Sequence, residues 1–326
     1  MIESENFPTI SSLDVETLSA GLHQFWFKAS TNAMGIAVQL PVVVAKAEKP
    51  GPKVVITAGV HGDELNGVLT AQELIRHLPD VLNAGSVTIV PSINLSGILN
   101  HSRDFHSSDP DSSPANLNRF FPGNPNGDTA NRYLDTIWTQ LLKPNGEIAI
   151  DLHTQTRGAT YPLYVFADFR LEQALKMARL MEPDVILNDP GDHGVLETVW
   201  NNSGVPCITV EVGMGKVTQP ELIERAVCGI KQILVNQGVI EGESPNVTPC
   251  DIEGKEIISV RANKGGFVLP QVTLLEGVEK GQLLAVQYDS FGRMTDSYYA
   301  PNNGTVISYN VDSLREAGAL VVRLIR

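Results

Sequence analysis

The side chains of this chain best suited to chemistry are two imidazoles and a carboxylate. His61 and Glu64 lie in GVHGDELNG (residues 59–67), and His153 lies in DLHT (residues 151–154). Both segments come where an apolar, strand-like run gives out. Two histidines and a glutamate are the ligand set of an open catalytic zinc site, where three protein ligands leave one position for water. Hydrolysis at such a site also needs a base for the water's proton and a cation for the developing oxyanion. His61 and Glu64 are three residues apart, a spacing that puts both on one side of a turn entering a helix. The flanking Gly59 and Gly62 permit that tight turn. His153 can arrive from a neighbouring strand end, with Asp151 beside it to orient an imidazole. The plainer reading is a set of ordinary polar residues near glycine turns, since HxxE and DLH each occur without a metal. On the residues alone, both readings stand.

Other chemistries find less support. No GxSxG elbow and no GxxxxGK(S/T) phosphate loop is present. Cys207 and Cys228 fall inside a strand-like and a helical pattern, without a paired histidine nearby in sequence. Among the remaining histidines, His77 falls late in a helix, where a C-terminal charge role suffices. His106 and His193 are the better candidates for pocket residues, although loop histidines are usually just solvated.

The elements that must position these groups alternate. Residues 54–58 (VVITA), 86–91, 147–152 (EIAIDL), 162–166 and 206–212 (PCITVEV) read as strands. Residues 65–78, 129–142, 171–181 and 220–237 read as amphipathic helices. Strands that are nearly continuously apolar, separated by helices, predict an α/β fold: a mixed, mostly parallel sheet with helices on both faces. Ligands gather beyond the carboxyl ends of such strands, and His61, His153 and Glu211 lie at or just after such ends. Residues 94–127 are rich in Asn, Ser, Asp, Pro and Gly with little periodicity, which predicts a functional loop region or a misread element.

After residue 237 the character changes. Residues 239–250 read as a linker, and from 255 onward short β-like runs alternate with Gly and Asn turns. The expected organisation is a catalytic domain over 1–244 and an all-β domain over 245–326. The stretch FVLPQVTLLEGVEKGQLLAVQYD, with APNNGTVIS after it, resembles the barrel-sandwich half-motifs of biotinyl and lipoyl carrier domains. The position of the carrier lysine corresponds to YDSFGRMTD, which has none, so the architecture is expected without the swinging-arm chemistry.

Composition narrows the partners. A formal charge of −13 argues against nucleic acid and anionic membranes, both of which require a basic face. It leaves room for a small anionic substrate held by local arginines. No apolar run approaches the ~20 residues of a membrane helix. The opening MIESENFPTI lacks the layout of a secretory signal, so the expected location is cytoplasmic. Three cysteines, Cys207, Cys228 and Cys250, show no metal-ligand spacing and read as incidental thiols in a reducing compartment. Oligomeric state has no signature in the sequence.

HGDE, then RDFHSS…PANLNRFFPG, then DLHT, then TVEVG, in that order, resemble the succinylglutamate desuccinylase/aspartoacylase family, a branch of the zinc carboxypeptidase superfamily. The resemblance spans roughly residues 35–326, because that family also carries a C-terminal β domain. It implies one zinc ion per chain held by His61, Glu64 and His153. It implies that Glu211 is the base that deprotonates the attacking water and later protonates the leaving amine. Arg103 would stabilise the oxyanion, and Asn118 and Arg119 would grip the substrate's α-carboxylate. Without the resemblance, Glu211 reads as a strand-end carboxylate in a salt bridge, and Arg119 as a partner for Asp109 or Asp111. The chain departs from aspartoacylases proper in the longer spacing from Arg103 to Asn118 and in NLNR, with Asn116, where DLNR is common. The implied activity is hydrolysis of a small N-acylated amino acid. The alternatives are a zinc carboxypeptidase acting on peptides and an inactive binding module.

Overall fold

The run at 147–152 becomes the central strand, Ile148–Gln155, of a ten-stranded sheet. The structure, a computed structural model, describes residues 7–326; the first six residues of the acidic opening lie outside the described part. Lys53–Ala58 and Cys207–Met214 flank the central strand, both parallel to it. Ser86–Val90 pairs parallel with Lys53–Ala58, and Leu163–Ala167 runs antiparallel beside Cys207–Met214. Two long antiparallel strands, Gly21–Thr31 and Ala37–Lys46, extend one side. The sheet is therefore mixed and mostly parallel, as the sequence predicts.

Alternation along the central strands separates two cores. Ile56, Ile150, Leu152 and Val210 point to one face and pack under helices Leu65–His77, Glu172–Leu180 and Pro220–Asn236. Val55, Ala149 and Cys207 point to the other, beneath helices Thr129–Ile137 and Leu196–Asn202 and the indole of Trp200. On this second face the pattern turns polar towards the carboxyl ends, where Thr57, Asp151, His153, Thr209 and Glu211 are all buried. Half of the face is core and half is site.

The central strand runs through His153 to Gln155, further than its apolar run suggests, because the ladder continues: Glu211 is the register partner of His153, and Thr57 and Thr209 are those of Asp151. Residues 94–127 form a long excursion holding the short helix Leu95–Leu99, an isolated bridge between Phe105 and Ala115, and the turn Leu117–Arg119.

The C-terminal part is built of two antiparallel sheets around Val268, Leu284, Val306 and Val322. Strands cross between the two parts. Glu253–Gly254 adds an edge strand to the large sheet, and Ala159–Thr160 pairs with Gly304–Asn310 of the β region. Among the described residues no helix is long and apolar enough to cross a membrane.

Candidate active site

The chain leaves strand Lys53–Ala58, turns at Gly59 and enters the helix Leu65–His77 with Glu64 as its N-cap residue. Gly62 is dictated by a close approach, because a Cβ there would stand 2.1 Å from the carbonyl carbon of Gly97. Glu64 makes no capping bond. Its carboxylate instead accepts from the Thr154 backbone N–H at 3.1 Å and meets His153 Nδ1 at 2.9 Å and His61 Nδ1 at 3.0 Å. The two Nδ1 atoms are 3.1 Å apart.

Each imidazole is held from behind through its other nitrogen. His153 Nε2–H donates to Asp151 Oδ2 at 2.8 Å, and Asp151 Oδ1 accepts from the Thr57 hydroxyl at 2.6 Å. His61 Nε2–H donates to Asn116 Oδ1 at 3.0 Å. The same oxygen accepts from the Asn118 backbone N–H at 3.1 Å, which fixes the orientation of the Asn116 amide and hence the tautomer of His61. Both Nδ1 lone pairs are thereby left for the centre, the usual preparation of metal-binding histidines. Donors at about 2.0–2.1 Å from a tetrahedral zinc stand roughly 3.3 Å from one another. The three groups fit that set within a few tenths of an ångström.

Two buried carboxylates are pushed in opposite directions. Burial alone would raise Glu64, but the charges and hydrogen bonds of His61 and His153 win, and its pKa is lowered. Glu211 has no such cation in contact, and Oε2 has no hydrogen-bond partner. Burial, with Glu64 nearby, pushes it up to about 8. Burial would lower His153 too, but Asp151 and Glu64 outweigh it and hold the imidazole well above its ordinary range. For His61 burial prevails and the pKa is lowered. Neighbouring acids with separated proton affinities are a common basis for dividing catalytic roles.

One cavity of about 280 Å³ is lined by His61, Glu64 and His153 and by Arg103, Asn118, Arg119 and Glu211. Arg103 Nη1 donates to Glu64 Oε1. Asn118 Oδ1 accepts from the Leu196 N–H at 2.9 Å, which leaves its NH2 group free for another partner. Arg119 Nη1 donates to the Asn118 carbonyl at 2.6 Å, and among the described residues it forms no ion pair with Asp109 or Asp111. His106 and His193 do not line this cavity.

Several lining groups carry no signal in the sequence. Arg323 arrives from the last strand of the β region, Leu320–Ile325, and donates to the Tyr161 hydroxyl at 2.9 Å. Asp189 and Glu197 flank a glycine-rich turn whose following helix, Leu196–Asn202, is too short for periodicity to reveal. Asn116 stands out in sequence only as a departure from DLNR. Its hold on His61 needs the fold to be seen.

Residues 50–236 match the model of the succinylglutamate desuccinylase/aspartoacylase catalytic domain. An N-alpha-acetyl-L-2,4-diaminobutyric acid deacetylase from Halomonas elongata is 31% identical over 280 residues, covering 81% of this chain and 77% of the relative. Among solved structures, the ectoine utilization protein EutE (DoeB) from Ruegeria pomeroyi superposes with a TM-score of 0.82 at 23% identity, over 94% of this chain and 96% of the other. A succinylglutamate desuccinylase/aspartoacylase from Rhodobacter sphaeroides gives 0.80 at 20% identity, over 97% and 98%. At these identities the two structures speak for the fold.

Proposed function

This chain belongs to the succinylglutamate desuccinylase/aspartoacylase family, and from that premise we propose that it is a zinc-dependent amidohydrolase. It cleaves the amide of a small N-acylated amino acid, releasing a carboxylate and the free amino acid. One observation carries the reading: two imidazoles, each tied from behind by an oxygen acceptor, converge with Glu64 beside the unpartnered carboxyl of Glu211.

His61, Glu64 and His153 would hold one zinc per chain. A zinc ion there would supply Lewis acidity and lower the pKa of a bound water to about 7. Glu211, buried and with its pKa raised to about 8, would take the proton of the attacking water and return it to the amine as the C–N bond breaks. Arg103 faces the oxygen on which negative charge develops. Arg119 grips the α-carboxylate through its planar fork, and Asn118 adds its NH2 group.

The cavity's size favours a small substrate over a peptide, and Arg323 brings a side chain of the β region into its lining. In this reading residues 1–244 carry the chemistry and 245–326 cover it. The Halomonas relative makes an N-acetyl diamino acid the first substrate to try. Chelator-treated protein should be inert towards N-acetyl amino acids and regain turnover with about one equivalent of zinc. Cleavage of C-terminal residues from peptides instead would establish the carboxypeptidase alternative. No hydrolysis of either class by zinc-loaded protein would leave only a binding role.

A further inference from the structure

We propose that Asp189 and Glu197 form a subsite for the free ammonium group of an N-acylated diamino acid, in the same cavity as the arginine that takes the α-carboxylate. The inference rests on the amidohydrolase reading for what enters the cavity, and it adds what selects the side chain.

Five acids line the cavity: Glu64, Asp189, Asp192, Glu197 and Glu211. Glu64 and Glu211 belong to the metal and proton-transfer machinery. The other three come from one stretch, residues 189–197, which leaves strand Val185–Asn188 and enters helix Leu196–Asn202. They form a wall of one sign, and among the described residues none of the three is ion-paired with Arg103, Arg119 or Arg323.

Glu197 is the informative member. It is only 3% exposed, beside Trp200 and Cys207 at the edge of an apolar core. Its Oε2 accepts from the Thr209 hydroxyl at 2.7 Å, and the other oxygen has no hydrogen-bond partner among the described residues. Burial holds its pKa well above the usual carboxylate range. A buried acid without a cation is a standing cost that an apolar residue of similar size would remove. A substrate cation is the partner this geometry lacks.

Asp189 supplies the more accessible acceptor. Its Oδ1 is fixed by the Gly191 N–H at 2.9 Å, which leaves the second oxygen for the cavity. The charge of Asp189 is felt at Glu197, and the charge of Arg119 is felt at Asp189. With the amide at the histidines and the α-carboxylate on Arg119, the side chain is the substituent that meets this wall. An ammonium there completes charge-assisted hydrogen bonds. A carboxylate would be repelled unless it turned to Arg323.

The test uses zinc-loaded protein and three N-acetyl amino acids of similar length, whose side chains end in ammonium (2,4-diaminobutyrate), methyl (norvaline) or carboxylate (aspartate). The ammonium substrate should have the highest kcat/KM. Asp189→Asn keeps an acceptor for Gly191, and it should lower the ammonium-to-methyl ratio about 10- to 100-fold, chiefly through KM. Glu197→Gln, which keeps an acceptor for Thr209, should lower the same ratio, and Asp189→Glu should restore part of it. A preference for carboxylate, or a ratio unmoved by both charge-removing variants, overturns the subsite. Calorimetry with free 2,4-diaminobutyrate and 2-aminobutyrate reads the subsite without turnover. If the diamino acid binds tighter and loses that advantage in Asp189→Asn while no substrate is hydrolysed, the subsite stands and the hydrolase reading falls. Hydrolysis without any ranking has the opposite meaning.

Discussion

Replacing Glu211 with Gln separates a catalytic carboxylate from a structural one. In the metal-free protein its pKa is lifted from 4.5 to about 8. Below pH 4.5 the folded and unfolded chains both hold this proton and nothing is lost. Between 4.5 and 8 the unfolded chain releases it while the folded protein keeps it, so rising pH removes stability. The slope is about 1.4 kcal/mol per pH unit, which accumulates to roughly 3 kcal/mol by pH 7. Glu211→Gln abolishes this titration, and the fixed cost of burying an amide cancels when two pH values are compared. Relative to wild type, the variant should therefore gain about 2.5 kcal/mol between pH 5 and pH 7, measured by urea unfolding in excess chelator. Loaded with zinc, the same variant should bind metal as wild type does and lose about 10²–10⁴ in kcat. Parallel stability curves would refute the account of its burial, and retained turnover would refute its role as the base.

Three further perturbations probe the supports of the site. Asp151→Asn removes the charge behind His153 and should weaken zinc affinity about 10- to 100-fold in a competitive chelator titration; unchanged affinity would contradict the role given to that pair. Arg103→Ala should lower kcat about 10²–10³-fold with zinc content intact, and an unaffected kcat would reassign the oxyanion contact. Gly194 has φ +82°, and a Cβ there would stand 2.1 Å from the Arg119 carbonyl oxygen. Gly194→Ala should thus cost about 1–3 kcal/mol in unfolding experiments and raise KM by displacing Arg119; a variant matching wild type in both would show that the loop yields freely.

What the sequence reveals, and what it hides, follows from where the constraints lie. The central strands are legible because they are buried on both faces, and the long helices because their apolar stripes are continuous. His61, Glu64 and His153 stand out because glycine turns and strand ends frame them. The strand Ala37–Lys46 is obscured by Pro41 inside it, and Gly21–Thr31 by polar residues on its exposed side. Arg323 and Glu197 could not be found, since each reaches the cavity through contacts remote in sequence: the first with Tyr161 across the junction with the β region, the second with Thr209 on the neighbouring strand. Asn116 shows the same limit on a smaller scale. Its identity is visible in NLNR, but its hydrogen bond spans 55 positions to His61.

The most direct measurement is the zinc absorption-edge spectrum of the purified, metal-quantified protein. About one zinc per chain, with two imidazole nitrogens and a carboxylate oxygen among its neighbours, is the expected result. Protein that takes up no stoichiometric zinc under mild conditions, or a spectrum without imidazole scattering, would contradict the convergence of His61, Glu64 and His153 on one ion.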